Sequence, residues 1–136
     1  MQEKKFPAVI ESIPEVTAWI DEELEKRGCS MKAQMQIDVA VDEIFSNIAR
    51  YAYPDGEGSA TVRLGDDEAS GLFSITFEDQ GIPFDPLRQE EPDVSLSAAE
   101  RSIGGLGIFL VRKTMDEVTY AFRDGSNILC LKKRLG

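Results

Sequence analysis

Between Asp79 and Gly107 the chain loses every hydrophobic period, and that stretch constrains the fold more than any other. It holds three prolines, four glycines and several carboxylates. An irregular segment of about 25 residues is uncommon inside a compact domain and is usually functional where it occurs. The regular elements must therefore come from the flanks, and one core has to be assembled across the gap. A chain of 136 residues predicts a single domain over 1–136. A domain of that size buries roughly two-thirds of its unfolded surface.

The flanks supply clear periods. A first strand is predicted near Lys4–Glu11, held to an edge or to a strand start by Pro7. Ser12-Ile13-Pro14-Glu15 reads as a capping box with proline in the first helical turn. Val16, Trp19, Ile20 and Leu24 follow at helical spacing, and Gly28 closes that helix. Ser30 caps a longer helix running to about Ala52, with Ile37, Val41, Ile44 and Ile48 on one face. Ala60-Val62-Leu64 and Phe73-Ile75-Phe77 alternate as a hairpin, framed by Gly65-Asp66-Asp67 and Ser70-Gly71. Beyond the aperiodic stretch, Ile108, Leu110, Val111 and Met115 predict a short helix started by Gly107 and its neighbours. Val118-Tyr120-Phe122 and Leu129-Leu131 form a last hairpin around Asp124-Gly125-Ser126-Asn127. This order predicts an α+β two-layer sandwich, with a mixed, mostly antiparallel sheet and helices on one face.

Charge and composition narrow the chemistry. The chain carries 25 acidic and 15 basic side chains, a formal charge of −10, and no histidine. A direct nucleic-acid or anionic-membrane binder rests on a basic footprint, so neither is expected. Without histidine there is no Ser-His-Asp or Cys-His catalysis, imidazole zinc site or histidine autophosphorylation. The balance is −4 over residues 1–54, −10 over 55–100 and +4 over 101–136. The basic end is where a phosphate group is expected. Cys29 and Cys130 make no metal-ligand spacing and read as reduced thiols. The N-terminus lacks a signal-peptide core, and no apolar run approaches the roughly 18 residues of a membrane span, so a cytoplasmic protein is expected.

Three patterns could carry chemistry. Glu43 and Asn47, four apart on the second helix, project about 40° from one another. They read either as a polar helix face or as a general base followed by a metal-coordinating oxygen. Magnesium keeps several waters and takes few protein oxygens. Asp79-Gln80-Gly81 lies where a buried strand ends; it is either a turn or an acceptor carboxylate beside a glycine that lets a flat heterocycle approach. Gly104-Gly105-Leu106-Gly107 precedes the third helix, where backbone N–H groups can face an anion. Arg101 could add a charged contact. The loop is neither a Walker A loop nor a dinucleotide fingerprint.

In this order and spacing, Glu43-x-x-x-Asn47, Asp79-x-Gly81 and Gly105-x-Gly107 resemble the N, G1 and G2 boxes of the GHKL ATPases. The similarity extends through Asp42–Asn47 with Tyr51-Ala52-Tyr53, then Asp79–Pro86, then Arg101–Val111 and Met115–Val118. It resembles the anti-sigma-factor serine/threonine kinase branch over essentially the whole chain. The resemblance implies a Bergerat-type sandwich that binds Mg-ATP, often as a homodimer. It also implies a kinase that sequesters a sigma factor and phosphorylates a serine or threonine of a STAS-domain anti-anti-sigma factor. A non-catalytic, nucleotide-gated module that sequesters a sigma factor or another regulator is the alternative. By resemblance, Glu43 is the general base, Asn47 the Mg2+ ligand and Asp79 the acceptor for the adenine amino group, with Gly81 giving room beside the base. Gly104, Gly105, Leu106 and Gly107 face the phosphates, with Arg101 on an ATP lid around 85–103. Arg50 is the basic residue after the N box, and Tyr51 stands where a histidine is frequent.

Overall fold

The computed structural model describes residues 2–88 and 103–136. In chain order these form β1 (Gln2–Pro7), α1 (Ile13–Lys26), α2 (Met31–Tyr51), β2 (Ser59–Asp67), β3 (Leu72–Asp79), α3 (Ile103–Thr114), β4 (Glu117–Arg123) and β5 (Ser126–Lys133). The five strands make one sheet in the order β1-β2-β3-β5-β4. Where a mixed sheet was expected, every neighbouring pair is antiparallel. Because β3 and β4 both run antiparallel to β5, they are parallel to each other. The connection between them is thus a crossover that carries α3, not a hairpin.

Strand alternation determines which face is covered. Ala60, Val62, Leu64, Phe73, Ile75, Phe77, Leu129 and Leu131 are buried in one core with Val16, Ile20 and Leu24 of α1. The same core takes Ile37, Val41, Ile44 and Phe45 of α2 and Ile108 and Val111 of α3, so all three helices cover one face. The other face is polar: Arg63 bridges Glu3 at 3.0 Å and Glu78 at 2.7 Å. This is the expected two-layer α+β sandwich.

Element ends differ from expectation in three places. The first strand stops at Pro7, and Ile10–Ser12 forms a 3-10 turn. The Ser12 hydroxyl donates to the Pro7 carbonyl at 2.8 Å, so the predicted capping box does not form. The last hairpin turns on Asp124 and Gly125 alone, both at positive φ (52° and 78°), which leaves Ser126 and Asn127 inside β5. In α3 the glycines lie within the helix rather than ahead of it. The cap of α2 is as read: Ser30 Oγ accepts from the Ala33 N–H at 3.1 Å. Both cysteines are free. Among the described residues no helix is long and apolar enough to cross a membrane.

Between α1 and α2, Asp21 and Asp38 each bury an Oδ1 with no hydrogen-bond donor. Burial, with the neighbouring Asp21 carboxylate, pushes Asp38 up to about 7. A carboxyl whose folded pKa exceeds its unfolded value near 3.9 opposes folding increasingly as pH rises between the two values. Asp38→Asn should therefore be stabilising by about 1–2 kcal/mol at pH 8, the shift being discounted for residual solvent, and near neutral at pH 4. Urea unfolding at the two pH values checks this.

Candidate functional site

The i, i+4 spacing on α2 brings Glu43 and Asn47 together at the edge of the core. Asn47 is buried, and its Nδ2 donates to Glu43 Oε1 across a long 3.4 Å. With Nδ2 engaged in this way, Asn47 Oδ1 is the oxygen left to accept a hydrogen bond or hold a cation. Burial raises the Glu43 pKa, and the exposed Asp42 adds to the rise. The Asn47 hydrogen bond and the Arg50 charge oppose it. Arg50 itself is exposed in the last turn of α2 and is not among the residues lining the pocket described below.

Gly107 of α3 abuts the Glu43 carboxylate. A Cβ added at Gly107 would lie 2.0 Å from Glu43 Cδ and 2.2 Å from Oε2. The absent side chain therefore allows α3 to close against the carboxylate. Gly104, Gly105 and Leu106 lie in the first turn of the same helix. Arg101 and most of the expected lid fall outside the described residues.

Asp79, the last residue of β3, is almost fully buried. Its Oδ1 accepts from the Gly81 N–H at 2.8 Å and from Asn127 Nδ2 at 2.9 Å. Burial pushes its pKa up, while these two bonds hold it down. With Oδ1 engaged by the protein, Oδ2 is the atom left to accept from a ligand. Gly81 is required by packing: a Cβ there would meet the Ala52 carbonyl oxygen at 2.3 Å. The Ile82 N–H donates to that carbonyl at 2.9 Å, which ties the segment after β3 to the end of α2.

Asn127 was missed by the sequence reading. The β3–β5 register sets it opposite Asp79. Besides Asp79, its Nδ2 donates to the Ile82 carbonyl at 2.8 Å. Its Oδ1 accepts from the Phe84 N–H at 3.1 Å and from the Tyr120 hydroxyl. One signal was present: Asn127, Leu129 and Leu131 alternate, so a polar residue occupies an inward position. Tyr53 makes a second unpredicted tie, donating to the Ser59 carbonyl at 2.6 Å and accepting from the Gln80 N–H at 2.9 Å.

These contacts shape an open pocket between α2, β3 and β5. Ile44, Ile48, Phe77, Ile82 and Leu129 form apolar walls, Tyr51, Phe84 and Tyr120 add rings, and Asn47, Asp79 and Asn127 supply the polar atoms. Tyr51 and Phe84 stand 6.1 Å apart between ring centroids. An apolar slot with one buried acceptor suits a flat heterocycle bearing an amino group. Among the described residues no cluster of three His, Cys, Asp or Glu could hold a metal alone. A cation at Asn47 fits only if phosphates and water complete its shell, which is how magnesium is commonly held.

The profile of the histidine kinase-like ATPase domain matches residues 6–133. The serine/threonine-protein kinase BtrW of Bordetella bronchiseptica is 26% identical over 113 residues, 83% of this chain and 79% of that protein. The serine-protein kinase RsbW of Listeria monocytogenes is 29% identical over 114 residues, 79% and 70% of the two chains. The RsbW of Bacillus velezensis is 29% identical over 136 aligned positions, 96% and 83% of the two chains.

Asn127→Ala would leave the buried Asp79 and the part-buried Ile82 carbonyl and Phe84 N–H short of partners. It should cost about 1–3 kcal/mol in urea unfolding, the range for leaving a buried polar group short of its partner. A loss below about 0.5 kcal/mol, the size of an ordinary surface change, would show that the loop does not depend on it.

Proposed function

Because the chain belongs to the histidine kinase-like ATPase family, matched from residue 6 to 133, we propose that it is an ATP-dependent protein serine/threonine kinase. In this reading it acts as an anti-sigma factor and phosphorylates a STAS-domain anti-anti-sigma factor in a cytoplasmic partner-switching pathway, working as a homodimer. The observation that carries the reading is the partly desolvated Glu43 carboxylate beside Asn47 and Gly107, at the edge of a pocket whose buried acceptor is Asp79. The names of its relatives as serine and serine/threonine kinases support the same class.

On this reading the adenine lies in the apolar slot with its amino group donating to Asp79 Oδ2, and Gly81 leaves space beside it. The triphosphate extends toward Asn47 and the first turn of α3, where backbone N–H groups of Gly104 to Gly107 face anionic oxygens. Arg101, on the lid, and Arg50 are assigned to the phosphate end. Asn47 Oδ1 would hold a magnesium ion, whose positive charge would offset the charge developing on the phosphates. Glu43 accepts the proton of the incoming serine or threonine hydroxyl. The new P–O bond forms at the γ-phosphorus as the bond to the β,γ-bridging oxygen breaks, and ADP leaves. Phosphoryl transfer rests on positioning and electrostatics, which this residue set supplies without histidine.

Glu43→Gln should lower transfer from ATP to the STAS-domain protein by about 10²–10⁴-fold while ATP affinity stays within a few-fold. Because the base must be ionised, the wild-type rate should rise with pH through a value above that of an ordinary glutamate and then level off. Asp79→Asn should weaken ATP binding instead. Tight ATP binding by the wild-type protein without transfer to any STAS-domain protein would leave the nucleotide-gated binding module. Gly107→Ala gives a separate check. The group it strikes is the free end of Glu43, so the melting temperature should hold while transfer falls.

A further inference from the structure

The core face of α2 is fully used, yet the opposite side of its first two turns is not. Met31 is 79% exposed, Met35 63% and Val39 57%. At i, i+4 and i+8 they form one row, and the next members of that row are Glu43 and Asn47. With a rise of 1.5 Å per residue, the ridge starts about 18 Å from Glu43 along the helix axis and ends about 6 Å from it, winding about 40° at each step. Unbranched methionines make such a surface adaptable to a partner. The fold gains nothing by leaving three large apolar side chains in water on a helix otherwise sorted into an inner and an outer face.

Charge around the ridge is polarised. At its N-terminal end a surface groove brings together Lys32, Lys133, Arg134 and Asp116. Among the described residues Lys32 makes no ion pair, and Arg134 engages Asp116 only through its backbone N–H, at 2.7 Å. This basic end belongs to a chain of formal charge −10. At the other end the exposed carboxylate is Asp42, beside Glu43.

Resting on the kinase reading above, we propose that this α2 ridge docks the phosphoacceptor protein. The matching face carries an apolar patch bordered by acidic side chains that meet Lys32 and Arg134. Seated that way round, the partner's accepting serine or threonine lies over Glu43, clear of the acidic residues at its other end. Apolar contact supplies affinity, and the charge gradient sets orientation.

Met35→Glu alters an exposed helix position, so folding and ATP binding should be unchanged. The probe is the STAS-domain protein of the same organism that accepts phosphate fastest from the wild-type chain. The variant should raise KM for that protein at least tenfold, with kcat within about threefold; Lys32→Glu should raise KM too and flatten its salt dependence. Unchanged KM for both variants would overturn the ridge and leave the kinase reading intact, as would an altered dimerisation constant with unchanged KM. If no STAS-domain protein accepts phosphate, the kinase reading fails separately. Binding of the same proteins, measured in the presence of ATP, then decides: weakening by Met35→Glu supports the ridge, and equal binding or none overturns it.

Discussion

The buried pairing of Asp79 with Asn127 is the contact on which the site depends. A carboxylate almost without solvent is costly unless hydrogen bonds hold it. Asn127 and the Gly81 N–H supply two, both to Oδ1. The same amide fixes the backbone from Ile82 to Phe84. One side chain thus orients the acceptor and shapes the wall beside it. Asn127 is in turn positioned by the β3–β5 ladder, which the crossover through α3 makes possible. The pocket floor is a product of sheet topology more than of a local motif.

α2 is the second organising element, because its core face, the border of that face and its C-terminal end each serve the site. Ile37, Val41, Ile44 and Phe45 anchor it to the sheet. Glu43 and Asn47 stand at the border of that face, where desolvation is partial; it raises the proton affinity of Glu43 without eliminating access. Its C-terminal end receives the segment after β3 through the Ala52 carbonyl. Any tilt of α2 would move the carboxylate, the amide and the Asp79 segment together. Gly107 limits that tilt from the other side by letting α3 approach the carboxylate itself.

Much of this was legible in the sequence, for identifiable reasons. The period of 3.6 along Ile37–Ile48 and the Ser30 cap defined α2, and alternation defined β2 and β3, because local patterns decide those elements. The start of α3 was displaced because Gly104, Gly105 and Gly107 each carry about 1 kcal/mol of helix penalty relative to alanine. Close packing at Gly107 overrides that penalty, and packing cannot be seen from propensity. Ser12 has the composition of a cap, yet its hydroxyl is drawn to Pro7 by the turn between β1 and α1. Asn127 lies 48 residues from Asp79, so only the strand order could pair them. The roles given to Glu43, Asn47 and Asp79 came from resemblance; their burial and mutual distances came from the fold.

Electrostatics then bears on the proposed chemistry. The described lining of the pocket contains Asp79 and no lysine or arginine, with Glu43 and Asp42 close to Asn47. A triphosphate entering this surface meets like charge on several sides. Arg50 is exposed, and its charge acts on Glu43 only at a distance. Helix N-terminal amides offset part of the repulsion, about 0.3–1 kcal/mol for an exposed charge at a helix end. That is small against an anion of several charges, and on the proposed reading a divalent cation at Asn47 would offset more of it. The same acidity has a second consequence. A carboxylate in a field of neighbouring anions retains a higher proton affinity, which is what a base for a hydroxyl proton requires. A net charge of −10, which argues against a nucleic-acid partner, is at the scale of the site compatible with the proposed phosphoryl transfer.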